Sequence, residues 1–148
     1  MVATFANRLA RTPSWVLWLL AALYWCALML ALHYPDIPGA HNAPPGADKL
    51  VHCLIYGVLA VLWRLLIGRQ TSASGVLGTA WRRDLLTFGL VIVQGVIDEW
   101  TQPLTGRHND VWDLVFDLAG AVCFLAAYHF LAARHASQSA TPTPAHVY

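Results

Sequence analysis

A chain of 148 residues has room for one domain and little more. Hydrophobic residues make up 57% and charged residues 11%, against about 25% charged in an average soluble domain, so water alone is excluded as the solvent of this surface. The net charge of +1 and the scatter of the nine basic residues likewise exclude a nucleic-acid-binding face.

A bilayer core asks for about 20 mostly apolar residues per spanning helix. The first stretch that meets this, 14–32, is uncharged and rich in Leu, Ala and Trp. It follows Arg8 and Arg11, as a signal peptide would, but its apolar run exceeds the roughly 7–15 residues of a signal core, and it reads as a retained helix. Pro35, Pro38, Gly39, Pro44, Pro45 and Gly46 then mark a loop. A second helix is expected over 48–67, with Arg64 near its end reaching for the headgroups. A polar connection with Gly75 and Gly78 leads to a third over 85–102, apolar until Asp98 and Glu99. Pro103 and Gly106 break the chain before a fourth over 111–132, apolar apart from Asp113, Asp117 and His129. Residues 1–135 thus form one all-α, integral-membrane four-helix bundle, and the Ser-, Thr- and Pro-rich 136–148 reads as a disordered cytoplasmic tail. Cys26, Cys53 and Cys123 lie in apolar runs without metal or redox spacing and read as packing residues.

Orientation follows from the basic residues. Four spans put Arg8, Arg11, Arg64, Arg69, Arg82, Arg83 and Arg134 on one side and leave Lys49 and Arg107 on the other, which places both termini in the cytoplasm. Only Asp84 among the acids then lies on the cytoplasmic side. Asp36, Asp48, Asp98, Glu99, Asp110, Asp113 and Asp117 gather at or just inside the outer face, and the inner half reads as apolar.

These polar residues recur at helical spacing. Asp48, His52 and Tyr56 share one face of the second helix, with Lys49 beside them. Gln94, Asp98 and Gln102 share a face of the third, bordered by Glu99. Asp110, Asp113, Asp117 and Gly120 do so on the fourth. Polar groups in membrane helices are costly and face the interior, so three stripes meeting at one end imply a pocket open to the outer side rather than register alone. His33, His41 and His108 read as solvated loop residues, and His129 as interfacial.

The pattern Asp48-Lys49-x-x-His52-x-x-x-Tyr56, then Asp98-Glu99-x-x-Gln102, Arg107, Asp113, Asp117 and Gly120, resembles the VanZ-like membrane protein family. The resemblance covers most of the second to fourth helices. It implies a small protein of the bacterial cytoplasmic membrane, in a family whose founding members are associated with resistance to the glycopeptide teicoplanin. Members often carry Asn where this chain has Asp117, and the spacing from Gln102 to Arg107 is shorter here by about one residue.

For chemistry, His52, Glu99, Asp98, Asp113 and Asp117 are the candidate acid–base and catalytic groups. Lys49, Arg107, Tyr56, Gln102 and Asp48 are the candidate ligand-binding groups, the two cations suiting a phosphate or carboxylate. No cofactor is identified; one His among carboxylates suits a hard divalent cation better than zinc. The partners expected are the bilayer and a lipid or cell-envelope precursor, with no nucleic acid. A non-catalytic binding or structural protein and a small proton-coupled transporter are the alternatives.

Overall fold

The computed structural model describes residues 12–34, 44–71, 77–108 and 110–139. Arg8, Arg11, Asp36, His41 and residues 140–148, all used above, lie outside the described residues. Four α-helices follow one another: α1 (Ser14–His33), α2 (Ala47–Gln70), α3 (Ala80–Thr101) and α4 (Val111–Ser139), with a short 3-10 helix, Gln102–Thr105, closing α3. Among the described residues there is no strand.

Helix ends differ from expectation where polar residues find partners. α3 begins at Ala80 rather than 85, because Asp84 is paired and the Arg83 guanidinium binds the carbonyls of Leu77 (2.7 Å) and Thr71 (3.4 Å). α4 runs on to Ser139, so residues 136–139, expected in the tail, are helical.

Three helices, α1, α2 and α4 over Val111–Gln138, are long and apolar enough to cross a membrane. Their faces carry a wide apolar surface that no helix covers: Leu30 of α1 is 74% exposed, Leu50 of α2 59% and Val111 of α4 69%. Patches of that extent belong in lipid, and the chain is a membrane protein. α3 falls short because Arg82, Arg83, Asp84, Asp98 and Glu99 leave too short an apolar run between them. Its acids are tolerable only because its neighbours cover or pair them.

α2 is the organising helix; it packs most extensively against α4 and also meets α3 and α1. One buried cluster draws on all four helices: Leu28 and Leu32, Tyr56, Leu59 and Ala60, Val91, and Ala121 and Leu125. The α2–α4 contact is close because Gly120 lies against the backbone of Cys53, where a Cβ would overlap the carbonyl, and Gly57 lies under the Phe124 ring. In lipid, where apolar burial does not drive helices together, such small-residue contacts supply the dispersion energy of association.

The far end, formed by the close of α2 and α4 and the start of α3, is not apolar as expected. Arg64 is 5% exposed and does not reach for headgroups. Its Nε donates to Asp84 Oδ1 at 2.6 Å, and its guanidinium lies over the Tyr128 ring, 5.7 Å from the centroid. His129 Nε2 meets the other Asp84 oxygen at 2.9 Å. One carboxylate thus ties three helices, which explains why a charged Arg stays inside.

The Gly120 contact makes a direct prediction. Gly120→Ala places a methyl against backbone that has nowhere to move, and is expected to cost about 3 kcal/mol, the upper part of the overpacking range. Gly89→Ala, at a glycine with open space around it, is expected to be neutral or stabilising. Thermal unfolding of both purified variants in detergent measures the difference.

Candidate functional site

The other end, where α1 and α3 finish and α2 and α4 begin, gathers the polar stripes. Gly120 and Cys53 set the distance between α2 and α4, and the neighbouring residues, His52 and Asp117 one turn away, meet as a result. His52 Nδ1 and Asp117 Oδ1 are 2.9 Å apart, with the ring 1% exposed and the carboxylate fully buried. Beside an ionised Asp117, Nδ1 carries the proton and donates it. Nε2 then holds a lone pair; it lies 3.6 Å from Asp113 Oδ2 and has no hydrogen-bond partner. Gly95 of α3 leaves the space that Asp117 Oδ2 and Leu114 fill.

One turn along α2, Tyr56 stacks parallel to the His52 ring and donates its hydroxyl to Asp98 Oδ2 at 3.3 Å. Gln102 Nε2 approaches the same oxygen at 3.4 Å. Asp98 and Gln102 are both fully buried.

Lys49 is surrounded. Its ammonium donates to Asp110 Oδ2 at 2.6 Å and to Asp113 Oδ1, and lies 3.1 Å from Asp48 Oδ2. Three carboxylates thus match the three N–H donors of an ammonium, and its charge is neutralised within the protein. Asp110 is a junction of three helices. Its Oδ1 caps α4 through the Trp112 amide (2.9 Å), its Oδ2 takes Lys49, and its own amide donates to Glu99 Oε2 at 2.7 Å. The Lys49 hydrogen bond holds the Asp110 carboxyl below its ordinary value. That stabilisation is in place above the ordinary carboxylate range and is lost as pH falls through the depressed value.

The structure thus brings His52, Asp98, Glu99, Asp113, Asp117, Lys49, Tyr56 and Gln102 to one end. Asp48 stands at the rim, half exposed. Arg107 is turned aside: Gly106, at φ +80°, ends the 3-10 helix, and the guanidinium that follows donates to the Leu32 carbonyl at 2.9 Å. Gln94 leaves the cluster as well, accepting from Trp25 Nε1 of α1 at 2.7 Å.

One residue was missed. His33 is the last residue of α1, not a solvated loop residue. Its Nε2 meets Thr101 Oγ1 at 2.7 Å and its Nδ1 lies 3.4 Å from Asp98 Oδ1. Carrying the first helix one residue further would have placed His33 within α1, one turn beyond Met29, whose carbonyl its Nδ1 meets at 3.0 Å.

Five buried side-chain atoms in this region have no hydrogen-bond partner: His52 Nε2, Asp98 Oδ1, Glu99 Oε1, Gln102 Oε1 and Asp117 Oδ2. Buried polar atoms are normally paired with protein or ordered water, and leaving one unpaired costs about 1–3 kcal/mol, so five at one end call for further partners, bound water or a ligand. Among the described residues, no three His, Cys, Asp or Glu side chains form a metal-holding group. No protein-family model, curated protein or solved structure matches the chain.

Lys49→Met leaves Asp113, whose side chain is 6% exposed, without its cation. A loss on the order of 3 kcal/mol is expected, as for breaking one side of a buried pair, with much of it recovered in Lys49→Met/Asp113→Asn. Chemical or thermal unfolding of the single and double variants checks it; equal stability of the single variant and the parent would show that the cluster carries no structural charge pairing.

Proposed function

We propose that this chain is a VanZ-like protein of the bacterial cytoplasmic membrane, crossing the bilayer four times with both termini inside. Its polar end faces outward and binds, or acts on, a lipid or lipid-linked cell-envelope ligand. The observation that carries this reading is the set of five buried polar atoms without a hydrogen bond, on α2, α3, α4 and the 3-10 helix, at one end of a membrane protein. A network serving only to fix helix register gains nothing from orphaned acceptors, whereas a ligand site needs them. The residue pattern Asp48–Tyr56, Asp98–Gln102 and Asp113–Gly120 supports the family relation, and the distribution of Arg residues supports the orientation.

The His52–Asp117 pair favours a catalytic form of this reading. A carboxylate on Nδ1 fixes the ring and its tautomer and leaves Nε2 basic, the arrangement of a general base. A covalent nucleophile at Nε2 is absent among the described contacts, so the chemistry this supports is proton transfer to or from a bound ligand. A transport reading is less well supported. The layer of Leu59, Ala60, Val91, Ala121 and Leu125 separates this end from the Arg64–Asp84–His129 group and interrupts any side-chain relay between them.

Two measurements test the reading. Full-length protein in nanodiscs of bacterial lipid extract is expected to retain a bound lipid or lipid-linked species in native mass spectrometry, with retention lowered about tenfold in His52→Gln and Asp98→Asn variants of unchanged fold. A spectrum with no retained species, or retention indifferent to both substitutions, overturns it. For orientation, Thr105→Cys in a background lacking the native cysteines is expected to react with an impermeant maleimide on intact cells. Ser137→Cys is expected to react only after permeabilisation; the reverse pattern inverts the topology.

A further inference from the structure

The polar end is reached from the side. Between α3 and α4 runs a groove of about 310 Å³ whose walls are Val96, Trp100, Val111 and Leu114 and whose polar member is Glu99. The volume sits at the lower end of the roughly 300–1,000 Å³ usual for small-molecule sites. Trp100 and Val111 are largely exposed, so the groove opens along the same apolar surface that marks the membrane-facing side.

The sign of the charge at its head decides what fits. Asp48, Asp98, Glu99, Asp110, Asp113 and Asp117 are offset only by Lys49 and Arg107 among permanently charged bases. Lys49 is already shared by three of those carboxylates, and Arg107 is turned to a carbonyl. Neither cation lines the groove. Four of the five unpartnered atoms are oxygens that only accept: those of Asp98, Glu99, Gln102 and Asp117. Glu99 uses one oxygen on the Asp110 amide and leaves the other unpaired. Glu99 is also the polar residue of the groove wall, so its carboxylate is the acceptor that a ligand lying there meets.

We infer that the α3–α4 groove admits a membrane lipid whose headgroup bears a primary ammonium, with a chain segment along Val96, Trp100, Val111 and Leu114 and the ammonium donating to the Glu99 carboxylate. This rests on the reading of the polar end as a lipid site and reverses the expectation that Lys49 and Arg107 recruit an anionic headgroup. A primary ammonium is selected over a quaternary one because the acceptors need N–H donors as well as positive charge.

The test uses full-length protein in nanodiscs of mixed phosphatidylethanolamine, phosphatidylcholine and phosphatidylglycerol, with retained lipid read by native mass spectrometry. The parent is expected to enrich phosphatidylethanolamine over phosphatidylcholine by about tenfold, the worth of one charge-assisted hydrogen bond. Glu99→Gln is expected to bring that ratio near unity, and Val96→Trp, which fills the groove, to reduce retention of every lipid. Enrichment of phosphatidylglycerol, or a preference unchanged in Glu99→Gln and Val96→Trp, overturns the inference. Displacement of the lipid by millimolar free ethanolamine also overturns it, because recognition would then need no lipid chain. If lipid is retained and lost in Asp98→Asn while Glu99→Gln and Val96→Trp behave as the parent, the inference fails and the broader reading stands. If no lipid is retained by any form, both fail.

Discussion

The contact of Gly120 with the Cys53 backbone is the constraint on which the polar end depends. Membrane helices gain little from burying apolar surface against one another, so their spacing is set by how closely backbones can come. Here α4 rests on α2 with no side chain between them at this level. His52 is adjacent to that contact in sequence and Asp117 lies just short of one turn from it, so their 2.9 Å approach is a by-product of backbone proximity. A side chain at position 120 would separate the helices and with them the imidazole and its carboxylate.

The two ends of the molecule handle charge differently. At the far end Asp84 is satisfied on both oxygens, by Arg64 and His129, and three helices are tied by a closed set of bonds. At the other end acids outnumber bases, Lys49 is divided among three carboxylates, and acceptors remain unpaired. Each group has buried members, Arg64 at one end and His52, Asp98 and Asp117 at the other, in a membrane protein, where unsatisfied polar atoms are expensive. A closed network is what stability alone produces, and an open one requires another reason.

Much of this was legible in the sequence because it is periodic. The stripes Asp48–His52–Tyr56 and Asp110–Asp113–Asp117–Gly120 follow helical spacing, and His52, Tyr56, Asp113 and Asp117 do face inward and meet, while Asp48 and Asp110 stay at the rim. The all-helical class and the membrane setting followed from composition, since so few charges cannot clothe a soluble surface. Arg64, Asp84 and His129 were not legible as a group. They lie far apart in the chain, and each has a bland interfacial reading until the antiparallel run of α2, α3 and α4 stacks them. His33 was lost to a boundary one residue short. The Asp110 junction was hidden because a cap, an ion pair and an amide donor on one residue leave no spacing signature. Lys49 and Arg107 show the opposite limit: their residue types suit an anion, but that Lys49 is shared by three carboxylates and Arg107 is held by a carbonyl is a property of the fold.

Asp84 and Asp110 sit at opposite ends of the same three helices, and each binds all three. α2, α3 and α4 are thus fastened like staves between two hoops, and sliding any one of them along its axis breaks hydrogen bonds at both. Motion that leaves these bonds intact is confined to side chains and to α1, which reaches its neighbours through Tyr24, Trp25 and His33 at its flank and end. The frame is consequently stiff where the acids are held and yielding at one wall, a division of labour set by two carboxylates.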